Sequence, residues 1–128
     1  MRKTQHVLAV NDLDAAEAYF IDKLGFTLKA RIGGWSFLNL DEFHLMVGHC
    51  EGEMLARDTR NHSYFAYVNC RDIDALYAQY LASGAEFTQP IADKPWGLRE
   101  FGVVTPEGHR IMFGQPIDEP VAVSDESS

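Results

Sequence analysis

The chain has 128 residues, 46% of them hydrophobic, a formal charge of −8 and a sequence pI near 4.9. That apolar content excludes general disorder and suffices for one core, built as a single unit or as two small fused halves. The acidity argues against nucleic acid or an anionic membrane as partner, and with no apolar run of spanning length and no signal-peptide core, a cytoplasmic protein is expected.

Thr4 to Val10 alternates as a strand, with Leu8 and Val10 on its core face and Gln5, Val7 and Ala9 on the other. Asn11-Asp12-Leu13-Asp14 supplies capping side chains, and Leu13, Ala16, Phe20 and Leu24 follow at helical spacing until Gly25. Phe26 to Arg31, Trp35 to Leu40 and Phe43 to His49 then read as three short strands, divided by Gly33-Gly34 and by Asp41-Glu42. The order is βαβββ.

Residues 50–61 are polar and aperiodic, a linker or a flap. From His62 the order of elements begins again: a strand to Cys70, a helix opened by Asp72 with Ile73, Leu76, Tyr77, Tyr80 and Leu81 on one face, and an end at Gly84. Asp12-Leu13-Asp14-Ala15 returns as Asp72-Ile73-Asp74-Ala75, and Phe26-Thr27 as Phe87-Thr88, so the chain reads as a duplication. A short strand near Glu86 to Gln89 and a loop from Pro90 to Gly97 precede a hairpin, Arg99 to Gly114, that reverses at Thr105-Pro106-Glu107-Gly108. Phe101, Val103, Ile111 and Phe113 occupy its core face; Glu100, Gly102, Arg110, Met112 and Gly114 occupy the other. Residues 1–115 are thus expected to form one domain of two repeats, about 4–49 and 62–115, followed by an acidic, disordered tail over 116–128. Residues 1–114 hold all 11 Lys and Arg and 15 of the 19 Asp and Glu, so half of the net charge belongs to the tail. Cys50 and Cys70 are too few for a disulfide framework or a zinc cluster and read as buried thiols.

The opening His6-Val7-Leu8-Ala9-Val10-Asn11-Asp12-Leu13-Asp14, the helix exit Tyr19 to Thr27 and the ending Thr105-Pro106-Glu107-Gly108-His109-Arg110 resemble the glyoxalase, bleomycin-resistance and extradiol-dioxygenase superfamily, also called vicinal oxygen chelate proteins. The resemblance covers about residues 4–115, and within it Asp22 to Thr27 and Trp96 to Phe113 most resemble the bleomycin-resistance proteins. It implies an α+β fold of two βαβββ repeats, whose curved mixed sheets surround a cleft, and commonly a homodimer whose clefts draw on both chains. For metal-dependent members it also implies ligands on the first strand of each repeat, on the last strand and, in some, on the fourth. The matching positions here are Gln5, Ser63, Met112 and, at the optional fourth, His44. A hard divalent cation prefers charged oxygen or imidazole, so this set argues against a glyoxalase-type metal site.

By strand parity the cleft receives Trp35, Phe37, Asn39, His44 and Met46 from the first repeat, with Phe65, Tyr67, Glu100, Arg110 and Met112 from the second. Trp96 is placed as a lid. Such an aromatic wall suits a flat ligand, and Glu100 would hold a cationic group. The expectation is metal-independent binding and sequestration of a flat aromatic, cationic small molecule by a homodimer, with no cofactor. The competing reading is a lyase, isomerase or dioxygenase that uses a divalent metal at His44 and Gln5, with Glu100 as a further candidate ligand. Ser63 follows His62, but neighbours on a strand point to opposite faces and make no catalytic dyad.

Overall fold

The structure, a computed structural model, describes residues 1–117; of the tail expected over 116–128, Pro116 ends the last strand, and 118–128 lie outside the described residues. The first repeat runs β1 (His6–Val10), α1 (Leu13–Asp22), β2 (Thr27–Ile32), β3 (Trp35–Leu40) and β4 (Phe43–His49). Asp12 caps α1, its Oδ1 accepting the Ala15 N–H at 3.0 Å, and the chain leaves the helix through Gly25 at φ 83°. The sheet order is β1-β4-β3-β2, with β1 parallel to β4 and the other pairs antiparallel. β1 starts at His6, so Gln5 stands just ahead of the strand rather than inside it.

The second repeat repeats the plan. After a 3-10 segment (Ala56–Ser63) come β5 (Tyr64–Asn69), α2 (Ile73–Ser83), β6 (Glu86–Asp93), β7 (Leu98–Val104) and β8 (Arg110–Pro116), in sheet order β5-β8-β7-β6. Asp72 caps α2 through Ala75 as Asp12 caps α1, and Gly84 at φ 83° ends it. The duplicated tetrapeptide is thus a duplicated helix start. Two boundaries differ from the sequence reading. β5 begins at Tyr64, leaving His62 and Ser63 in the 3-10 segment. β6 continues through Pro90 to Asp93, because it is an edge strand with bulges between Phe87 and Gln89 and between Gln89 and Ala92; there a missing N–H costs no ladder bond.

The two sheets share no hydrogen-bonded edge. Side chains join the repeats instead. The Tyr80 hydroxyl, fully buried, donates to the Leu24 carbonyl at 2.8 Å, and Ser83 donates to the Lys23 carbonyl at 2.6 Å. At the opposite end of α1, the Glu107 carboxylate in the β7–β8 turn accepts the Asn11 and Asp12 amides at 2.8–2.9 Å. Between these ends one core runs through both halves: Leu8, Val10, Phe20, Leu38, Leu45 and Val47 from the first, Ile73, Phe101, Val103, Ile111 and Phe113 from the second. Phe101 and Phe113 stack at 4.9 Å and 16°, with the Tyr80 ring edge-on to both.

Candidate ligand-binding site

On the first sheet, Trp35, Phe37 and Asn39 of β3 stand opposite Gly48, Met46 and His44 of β4. They alternate with Ser36, Leu38, Leu45 and Val47, all buried on the face that meets α1, so the two aromatic rings point away from the helix. Trp35 lies against Gly48, where a Cβ would meet the ring at 2.9 Å; only glycine admits the indole there. Val7 and Ile32, 62% and 66% exposed, extend this face into an open apolar surface. His44 and Met46 are half-buried within it. Asn39 donates to the Asp41 carbonyl at 3.2 Å, while its own carbonyl oxygen is buried without a partner.

The second sheet departs from strict alternation. Tyr64 pairs with Arg110, Ala66 with Ile111 and Tyr67 with Met112, so Phe65 is an extra residue, a bulge in β5. The bulge puts Tyr64 and Tyr67, three apart, on one face with Arg110 and Met112. Phe65, expected on that face, instead turns its ring toward Phe43, His6 and His109 at 5.9–6.2 Å between centroids. Ser63, expected as a ligand position on the strand, is buried at the end of the 3-10 segment with its hydroxyl unpartnered. An open cavity of about 680 Å³ lies against this face, lined by Asn61, Tyr64, Phe65, Tyr67, Gln89 and Met112. No first-sheet residue lines it. Sequence parity missed Tyr64, Asn61 and Gln89; the one available signal was that Tyr64 and Tyr67 share a face only if the strand is bulged.

Glu100 is not a free anchor. It is 5% exposed, and its Oε2 accepts the Tyr67 hydroxyl at 2.7 Å. The Tyr67 ring reaches it by crossing Gly114, where no Cβ fits. Burial and then the Glu100 carboxylate push the Tyr67 phenol well above its ordinary range, so it stays a neutral donor. The Arg110 guanidinium stacks over Tyr64, 5.1 Å from the ring centroid. Trp96, 64% exposed in the β6–β7 turn, does not line the cavity.

A second cavity, about 730 Å³, opens at the seam between repeats and is floored by core side chains, among them Leu24, Phe43, Val68 and Phe113. Cys70 borders it, its thiol pKa raised by burial, which keeps it a poor nucleophile. Nor do the residues suit a hard divalent ion. Gln5 offers a neutral amide, Met112 a thioether, Ser63 a neutral hydroxyl in the 3-10 segment, and His44 alone brings an imidazole. Among the described residues, no three of His, Cys, Asp and Glu come together at ligand spacing.

The model of the glyoxalase/bleomycin resistance protein/dioxygenase superfamily matches residues 3–113. Among solved structures, the chain is similar to a glyoxalase/bleomycin resistance protein/dioxygenase from Alicyclobacillus acidocaldarius, with 20% identity over 92% of this chain and 96% of that one, at a TM-score of 0.79. TioX from Micromonospora sp. ML1 is 27% identical over 91% and 99%, at a TM-score of 0.69. TnmS3, an antibiotic binding protein from Streptomyces sp. CB03234, is 20% identical over 91% and 96%, also at 0.69. No curated protein sequence matches significantly.

Proposed function

The chain belongs to the glyoxalase/bleomycin resistance protein/dioxygenase superfamily, and from that premise we propose that it binds and sequesters a flat aromatic small molecule without a metal. The observation that carries this reading is the pair Tyr64 and Tyr67, brought to one face by the β5 bulge and opening on a cavity of about 680 Å³. Rings give large apolar contact at low entropic cost, each good pair contributing about 0.5–1.5 kcal/mol beyond burial, while Asn61 and Gln89 supply the few polar contacts that orient a ligand. An amide at Gln5, an imidazole at His44 and a thioether at Met112 make a poor set for a hard divalent ion, which leaves this wall of rings as the recognising feature. TnmS3, which shares the fold, is an antibiotic binding protein, and a bleomycin-resistance-like role is in keeping with that.

The working form is proposed to be a homodimer, in which a second copy covers the open first-sheet face around Val7, Ile32 and Trp35. Sedimentation at micromolar concentration checks this, since a monomer throughout would exclude it. Binding is tested by titrating the neutral fluorophore N-phenylnaphthylamine into chelator-treated protein. One saturable site per chain is expected, weakened about tenfold or more in Tyr67→Ala and retained in Tyr67→Phe, which keeps the ring. Absence of saturable binding, or equal binding in Tyr67→Ala, would overturn the reading.

A further inference from the structure

We propose that Arg110 anchors an acidic substituent, so that the ligand is a flat aromatic acid, a carboxylate or sulfonate, rather than a cation. This rests on the aromatic-binding reading above and names the class of molecule that the same face takes.

The other two arginines on strands are neutralised. Arg31 meets Asp14 at 2.8 Å and Glu17 at 3.6 Å, and Arg99 meets Asp74 and Asp93, both at 2.9 Å. Arg110 differs: it is half-buried, and among the described residues no carboxylate stands within 4.0 Å of it. Withdrawing a guanidinium from water without a counter-charge costs free energy, which an incoming anion would recover. Its position is fixed. Arg110 pairs with Tyr64 across β5 and β8 and lies over that ring, so its flat face is occupied while the donors around its edge stay available for a two-pronged bond.

Arg110 does not itself line the cavity but stands at its edge, over Tyr64, which does. Along β8, Arg110 and Met112 point to the same face, and Met112, Tyr64 and Tyr67 line the cavity. A ring stacked on the two tyrosines presents one edge to the Arg110 end. Of the acids on this face, Glu86 pairs with Val104, two strands and so about 10 Å across from Arg110, and Glu100 pairs with Gly114, four residues and so about 13 Å along the strand from Arg110. The Glu100 carboxylate is already shut beneath Tyr67. The charge that stands beside the tyrosine pair is therefore positive, although the protein as a whole is acidic.

The test compares two fluorophores of the same ring system, anilinonaphthalene sulfonate and neutral N-phenylnaphthylamine, titrated into the full chain. Wild type is expected to bind the sulfonate about tenfold more tightly. Arg110→Met abolishes that preference, the sulfonate losing about tenfold more affinity than the neutral probe does, and Arg110→Lys, which keeps the charge and loses the fork, retains part of it. Equal affinities in wild type, or a preference that survives in Arg110→Met, would refute the role of Arg110 while leaving aromatic binding in place. Failure of both probes to bind would bring down the aromatic reading itself.

Discussion

Gly114 is where Tyr67 crosses β8 to reach Glu100, and the pair shows how a residue without a side chain can set the chemistry of a wall. A hairpin face bearing a charge, a cation, a thioether and two glycines was legible from alternation alone; that one glycine serves a ring from another strand was not, because β5 is more than forty residues upstream. His109, just ahead of β8, is buried against Phe65, with the Thr105 hydroxyl accepting its amide at 3.1 Å. Burial lowers its pKa from the ordinary 6.5, with Glu107 opposing weakly. The fold therefore favours neutral imidazole: its contribution is complete above about pH 6.5 and is lost as pH falls through the lower folded-state value. Thermal melts between pH 7 and 5 should show wild type losing more stability than His109→Gln; parallel curves would contradict this.

At the scale of elements, the turn Thr105-Pro106-Glu107-Gly108 does more than reverse the hairpin. Its Glu107 carboxylate holds the amides that lead into α1, and Arg57, ahead of β5, donates from its backbone N–H to the Glu107 carbonyl at 3.1 Å. Three elements distant in sequence meet on four residues. The turn was readable from proline and glycine; its partners, up to 96 residues away, were not. Hydrogen bonds to a charged group are worth about 1.5–3 kcal/mol each set, so Glu107→Ala should cost about 2 kcal/mol in urea denaturation, and Glu107→Gln less. No change in the denaturation midpoint would mean that the α1 entrance finds other acceptors. The bulges mark the other limit of sequence reading. One extra residue in β5 brought Tyr64 onto the ligand-facing wall and turned the Phe65 ring toward Phe43, His6 and His109 at its border, and two irregularities let β6 run through Pro90.

For the whole molecule, the duplication carried the fold. Two Asp-capped helices, two glycine exits and two four-stranded sheets of the same order follow from motifs that recur sixty residues apart. What alternation placed on the first sheet stands where the parity of β3 and β4 requires, because those strands pair without interruption. The second sheet needed its bulge before the wall could be read, and with it the preferred charge of the ligand changed from cation, through Glu100, to anion, through Arg110. Superfamily membership alone decides none of this, since the same fold carries metal enzymes and binding proteins. Metal content of protein purified without chelator, for wild type and His44→Ala, bears on the choice most directly. Substoichiometric divalent metal in both is the predicted result; stoichiometric metal in wild type, lost in His44→Ala, would contradict recognition by rings alone.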